Sequence, residues 1–353
     1  MDTFNNSTEK FVCKCSEDYM IKEDLETTLN TSYYIMMIIM SALSIIGSIT
    51  LVAIILADRK SLVARQLLIY LSLCDFLVAL FNLLGLLWYY TDKQSDLFCS
   101  IQSGFSISSA IASFLWTFCI ALNIYLTVVH QNKIIQKKLK YLPHIICWGI
   151  PAIIAIASAC SDVLGYDPCV EVVSTCWINT CKLGNVYWKV LCWQMFTGKF
   201  WEILVYIGVA VLYGLVKCHI SRHLKRIKSH SKTPASSQMK SLAYSSTNKK
   251  LIFVPLVFII ARIWGTLRFF FNFGHSREIQ MIAAVLAPAQ GLGDSAQGFL
   301  NSVIFIFTTP SVRNKLGFQK CKNLCSFSKS KSTFDLTSDE KQTSTAPHTS
   351  TES

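Results

Sequence analysis

The chain has 353 residues; 52% are hydrophobic, only 15% are charged, and the formal net charge is +12. A soluble domain rarely reads this way, and the apolar residues fall in long runs. The basic charge lies between those runs, which favours a membrane surface and argues against nucleic acid as a partner.

Residues 1–32 are polar, with seven Asp/Glu and three Lys. They lack the basic, apolar and small-residue regions of a signal peptide, so the first span is expected to act as its own insertion signal. Asn5, Asn6 and Asn30 each open an Asn-x-Ser/Thr tripeptide. These are glycosylation acceptors if this end is outside, although such tripeptides also occur by chance. Asn30 stands close to the membrane.

Seven apolar runs follow, at 33–57, 66–89, 99–129, 142–161, 190–216, 251–273 and 279–307. Each is long enough, at ~1.5 Å per helical residue, to cross most or all of a ~30 Å hydrocarbon core. The sixth run starts after Lys249-Lys250 and contains Pro255 and Gly265. Both are places where a membrane helix bends.

The loops set the orientation. Residues 58–65 hold three basic side chains and one acid, 130–141 hold four lysines, and 217–250 hold nine Lys/Arg and no acid. The alternate loops carry Asp92 and Asp96, then Asp162, Asp167 and Glu171. The positive-inside rule then places the N-terminus outside and the C-terminus inside, which requires an odd number of spans.

After the seventh run, Thr309 is suited to cap a helix opened by Pro310, with Val312 and Leu316 on one face. A short amphipathic eighth helix over 308–320, lying on the inner membrane surface, is expected. Cys321 and Cys325 are palmitoylation candidates or two ordinary thiols. Residues 321–353 read as a disordered cytoplasmic tail. The expected fold is thus an all-α membrane protein: an extracellular segment 1–32, a seven-helix bundle 33–307, the surface helix and the tail.

Of 14 cysteines, six fall on the expected outer side: Cys13, Cys15, Cys99, Cys169, Cys176 and Cys181. Six cysteines allow many pairings. A Cys99–Cys176 bridge would pin the second outer loop over the mouth of the bundle. The pairing of the other four stays open.

Ionisable residues inside a membrane are costly and are candidates for function. Here they are Asp75, Lys199, Glu202, Arg262, Arg268 and Asp294. Lys199 and Glu202 stand at i,i+3 and are able to pair, as a structural ion pair or as part of a ligand pocket with Arg268. Arg268 either meets an anionic ligand or reaches the head groups. Arg262 is expected to be neutralised by Asp294 or Glu202. Asp75, Asp294, Gln297, Asn301 and Arg262 form a candidate polar switch core. Polar contacts in a dry core have few alternative partners, so rearranging them separates discrete states. Packing support alone would also explain that cluster.

Other seven-helix chemistries need residues that are missing. A retinal Schiff base needs a lysine in the last span, and 279–307 has none. An intramembrane zinc site needs histidines, and only His144 is near a span. No metal, cofactor or enzymatic centre is expected. A transporter or proton-conducting bundle remains the alternative function, and a ligandless scaffold a third.

The remaining motifs resemble G-protein-coupled receptors over about 33–316. Leu71-Ser72-Leu73-Cys74-Asp75-Phe76-Leu77 resembles the second-helix motif of the rhodopsin-like family. Cys99 and Asn123-Ile124-Tyr125 keep the spacing of that family's cysteine and Asp-Arg-Tyr motif, and Asn301-Ser302-Val303-Ile304-Phe305 resembles Asn-Pro-x-x-Tyr. Ile124 and Ser302 replace the motif's arginine and proline, so its ionic lock does not carry over. Trp148-Gly149-Ile150-Pro151, Cys176-Trp177 and Gln297-Gly298-Phe299 resemble the secretin/adhesion and slime-mould cyclic-AMP receptor side. The runs 197–202, 248–259 and 262–264 are similar to an orphan group of these receptors.

The resemblance implies a plasma-membrane receptor, leaning toward cilia, with an extracellular ligand and a heterotrimeric G protein as partners. It leans toward the Gq class and phospholipase C. A basic rim of Arg59, Lys60, Arg222, Lys225, Arg226, Lys249 and Lys250 would meet the G protein, although topology alone explains most of that charge. Ser229 and Ser338 suit phosphorylation, with receptor kinases, arrestin and membrane lipid as further partners.

Overall fold

In the computed structural model, the described residues are 23–57, 63–90, 96–130, 141–167, 176–184, 186–229, 253–274 and 276–309. Six helices are long and apolar enough to cross a membrane. They are α1 (Glu23–Ala57), α2 (Val63–Tyr90), α3 (Asp96–Tyr125), α4 (Leu142–Cys160), α5 (Tyr187–Arg222) and α6 (Phe253–Phe271). The helix of α5 runs on to Ser229. A seventh span is built from α7 (Arg277–Val285) and α8 (Ala287–Thr308). In hydrocarbon the backbone has no water to bond, so each span closes its own hydrogen bonds as a helix.

Several boundaries differ from the sequence expectation. α1 begins at Glu23 rather than at 33. The seventh span is not one helix but breaks at Leu286. Pro288 lacks an N–H and its ring crowds the carbonyl one turn back, so the ladder is interrupted there. Leu286 N–H still reaches Ile282 O at 3.1 Å, and Gln290 N–H reaches Leu286 O at 2.9 Å. Pro255 lies in the first described turn of α6, and the segment before Phe253, on which a bend at Pro255 depends, lies outside the described residues. The amphipathic helix lies beyond Thr309, outside the described residues. So do Asn5, Asn6, Cys13, Cys15, Cys169, Arg59, Lys60, Lys249, Lys250, Cys321 and Cys325.

The bundle is inside-out relative to a soluble protein. On α1, Ile46 and Ile49 are 62% and 56% exposed, while Ser44 and Ser48 are each 1% exposed. Lipid solvates the isoleucines, and the small serines let helices approach closely. A Cβ on Gly47 would stand 2.9 Å from Phe299 Cα, and one on Gly298 would collide with Ser44 and Ser48. α3 is the central post, packing on α2, α4, α5 and α6. Trp116, fully buried on α3, stacks on Tyr70 at 4.8 Å between ring centroids and meets His144 edge-on at 5.2 Å.

The tightest packing of α6 on the seventh span is at Gly293, where a Cβ would collide with the Ala261 carbonyl oxygen and lie 3.0 Å from its carbon. Backbone cannot rotate aside, so Gly293→Ala forces the two helices apart. We expect a loss of about 1–3 kcal/mol, the usual range for overpacking. Gly214→Ala on α5, with nothing within 4 Å of its Cβ, is the control and is expected to be neutral or stabilising. Thermal unfolding of the purified chain in detergent checks both.

The outer loop after α4 adds a short hairpin to the expected all-α fold. β1 (Leu164–Tyr166) pairs antiparallel with β2 (Cys176–Ile178), with Gly165 opposite Trp177. Asp162, at a φ of 50°, turns the chain from α4 toward β1. Aspartate tolerates that left-handed conformation better than most residues.

Candidate functional site

The hairpin roofs a cavity of about 260 Å³. Tyr166, Cys176 and Trp177 form its upper wall, and Gln102, Ser103 and Ser106 of α3 form one side. A Cys99–Cys176 disulfide, with 5.2 Å between Cα atoms, ties β2 to the first turn of α3. Asn179 Nδ2 donates to Tyr166 O at 2.7 Å, and Ser100 Oγ donates to Leu164 O at 3.2 Å, so the roof is held at several points. Cys181 is also disulfide-bonded.

The floor holds four charges. Lys199 Nζ donates to Glu202 Oε2 at 2.8 Å, and Arg262 Nη1 donates to Asp294 Oδ1 at 3.3 Å. All four side chains line the cavity. Lys199 ends a π-helical turn, Met195–Lys199, within α5. Such turns shift the register of everything after them and are frequent at functional sites. Thr197 Oγ1 donates to Trp193 O at 2.7 Å inside this turn. Glu202 Oε1 accepts from Thr266 at 2.6 Å and from Tyr206 at 2.7 Å, which joins α5 to α6. The Arg262 guanidinium carbon lies 5.0 Å from the Phe114 ring centre.

Arg268 does not line this cavity. Its Nη1 donates to Gln290 Oε1 at 3.0 Å, and its Nε donates to Ala283 O at 3.1 Å. Gln290 Nε2 in turn donates to Asp294 Oδ2 at 3.1 Å. The half-buried arginine therefore turns inward toward the seventh span rather than out to the head groups.

A second polar cluster joins α2, α3 and α8. Asp75, 3% exposed, accepts from Ser113 Oγ at 2.8 Å and from Asn301 Nδ2 at 2.9 Å. Gln297 Nε2 donates to Ser113 Oγ at 2.9 Å. The sequence grouping of Asp75, Asp294, Gln297, Asn301 and Arg262 thus separates into two clusters. Asp294 and Arg262 belong to the cavity floor; the other three meet around Ser113. Gln290, Asp294, Gln297 and Asn301 nevertheless share one face of α8, at helical spacing.

Sequence reasoning missed Ser113, Tyr206, Thr266 and Gln290. The last stands at i−4 from Asp294, a spacing that does mark a shared face. Of the basic rim, Arg222 is exposed near the end of α5, and Lys225 and Arg226 continue its backbone. Asn30 lies half-buried within α1 rather than in a loop.

The comparisons with known proteins agree with this architecture. The family model for the slime mold cyclic AMP receptor matches residues 23–347. G-protein coupled receptor 157 of Mus musculus is 36% identical over 284 residues, 79% of this chain and 83% of that one. The Homo sapiens protein of that name is 34% identical over 299 residues, 84% and 86% of the two chains. Cyclic AMP receptor-like protein A of Dictyostelium discoideum is 25% identical over 287 residues, 80% of this chain and 65% of that protein. Squid rhodopsin superposes with a TM-score of 0.63 at 16% identity, over 88% of this chain and 92% of its own, and so shares the fold. The chain belongs to the slime mold cyclic AMP receptor family, and it is a multi-pass G-protein-coupled receptor rather than an enzyme.

Proposed function

We propose that this receptor takes a small polar ligand from outside the cell into the hairpin-roofed cavity and passes the signal to a Gq-class G protein, driving phospholipase C. The observation that carries this reading is the polar stripe of α8. Gln290 and Asp294 reach the cavity, while Gln297 and Asn301, further along the same face, hold the Asp75 cluster. A ligand that competes for Asp294 or Arg262 therefore acts on the helix that fixes the inner polar contacts. It shifts the balance of two bundle states by its differential affinity for them.

Two buried wall atoms support a polar ligand. Among the described residues, Arg262 Nε and Gln102 Oε1 have no hydrogen-bond partner, although each side chain is otherwise engaged. A donor and an acceptor left unpaired in a dry wall favour a ligand that supplies both complements. The charge of the loops supports an outer N-terminus and hairpin and an inner C-terminus, in the plasma membrane. The basic inner rim would then meet the G protein.

Cells expressing the chain at matched surface levels test this, with inositol phosphate and cyclic AMP as readouts. The expected result is inositol phosphate above mock for wild type and a return to mock for Lys250→Glu. A rise in cyclic AMP instead would move the coupling to another class. A transmembrane current with neither messenger raised would favour the conducting bundle over a signalling receptor.

A further inference from the structure

Away from both polar clusters, α3 and α4 bring two free thiols together. Cys119 Sγ lies 3.6 Å from Cys147 Sγ, and among the described residues this is the one contact between free thiols. Cys119 stands near the end of α3, and Cys147 lies in a π-helical turn, Ile145–Gly149, near the start of α4. Rings hold the register of the two helices. Trp116, one turn before Cys119, meets His144 at 5.2 Å and Trp148 at 6.0 Å, and these two residues flank Cys147 along α4. Within the π-helical turn Ile145 is 70% exposed while Cys147 is fully buried, so the turn directs the thiol into the bundle.

The surroundings are apolar. Leu115, Ile120 and Ile154 belong to the same buried cluster as Cys147, and Cys119 and Ile150 pack against it. Cys119 itself is half-buried. Cys160, Cys192 and Cys218 are more exposed, but among the described residues each lacks a thiol neighbour.

We propose that Cys119 and Cys147 form a disulfide on reaction with a lipid hydroperoxide, which makes them a redox-sensitive tie between α3 and α4. A bond needs about 2.0 Å between the sulfurs. The pair closes from 3.6 Å by side-chain rotation and adjustment of the π-helical turn. An apolar wall favours an oxidant carried in lipid, ROOH, over one dissolved in water. The half-buried Cys119 meets it first. Its sulfur takes the terminal peroxide oxygen, the O–O bond breaks, and ROH leaves with the thiol proton. The Cys147 sulfur then attacks the sulfenic sulfur, the S–O bond breaks, and the hydroxyl leaves as water with the Cys147 proton. The electron pair lost by the thiols is the pair gained by the hydroperoxide. None of these steps depends on the ligand cavity or on the G protein.

The test uses the purified full chain in phosphatidylcholine vesicles, treated with linoleic acid hydroperoxide, with hydrogen peroxide or with neither. The chain is then alkylated, digested without reductant and mapped by mass spectrometry. Peptides of Cys119 and Cys147 joined by a bond that dithiothreitol cleaves are expected with the lipid hydroperoxide, several-fold above the other two arms, with hydroxylinoleic acid as co-product. Absence of that link, whether or not Cys160, Cys192 or Cys218 is oxidised, would overturn the proposal. So would a Cys74–Cys147 link in its place, or as much link from hydrogen peroxide. Cys147→Ser is expected to leave Cys119 as a sulfenic acid that dimedone captures, and Cys119→Ser to leave Cys147 unreacted; the reverse pattern would contradict the proposed order of attack. The wild-type map decides alone should either serine variant fail to fold.

Discussion

Replacing Glu202 by alanine is expected to destabilise the receptor more than replacing Lys199. Glu202 is 3% exposed and collects three donors, from Lys199, Tyr206 and Thr266. Its removal leaves an ammonium group and two hydroxyls without their acceptor. Breaking a buried ion pair from one side typically costs about 3–5 kcal/mol, because the remaining charge is stranded. Lys199→Ala strands the carboxylate instead, but two hydroxyl donors still solvate it, so about 1–3 kcal/mol is expected. Glu202→Gln keeps an acceptor for the hydroxyls and should fall between. Thermal unfolding of the three purified variants gives the ranking. Equal losses for Glu202→Ala and Lys199→Ala would mean that the hydroxyls contribute little.

At Asp75 the size of the effect should depend on which replacement is made. Asp75→Ala orphans Ser113 Oγ and Asn301 Nδ2 as donors, at about 1–3 kcal/mol for each. It also removes the Asp75–Asn301 tie between α2 and α8 and leaves the longer Asn82–Ser295 bond at 3.4 Å, so G-protein activation should fall at least about tenfold, by the usual size of coupling energies. Asp75→Asn is different. It still offers an oxygen to Ser113, but its amide nitrogen would face the Asn301 amide nitrogen, donor against donor. Asn301 Oδ1 has no partner among the described residues. Turning that amide over presents an acceptor and restores the bond. The cost should stay below about 1 kcal/mol, within a typical single hydrogen bond. A stability loss for Asp75→Asn as large as for Asp75→Ala would show that the charge, not the bonding pattern, holds the cluster.

Spacing along one helix made part of this site readable in the sequence. Lys199 and Glu202 fall one turn apart, and that alone implied their pairing. Asp75 and Asn301 are linked as polar residues inside apolar spans, where few other partners are within reach. Thr266, Tyr206 and Ser113 were invisible because they act across helices. Which way a helix that is apolar nearly all round faces is decided by packing, and local pattern carries little of that information. The π-helical turn before Lys199 rotates the following residues, a shift no propensity signals. For Arg268 the sequence leaves an anionic ligand and the head groups both open, because Gln290, its inward partner, lies on another helix. The hairpin was missed because its two strands are three residues each. The break at Leu286 was legible in principle, since Pro288 stands inside an apolar run. The seven spans themselves followed from length, hydropathy and loop charge.

The most direct measurement of the account is guanine-nucleotide exchange on purified heterotrimeric G proteins added to the receptor in lipid vesicles. Wild type is expected to accelerate exchange on a Gq-class heterotrimer above empty vesicles, Asp75→Asn to keep most of that acceleration, and Asp75→Ala to lose it. No acceleration with any heterotrimer class, together with an ion current across the same vesicles, would contradict signal transfer through the polar stripe of α8.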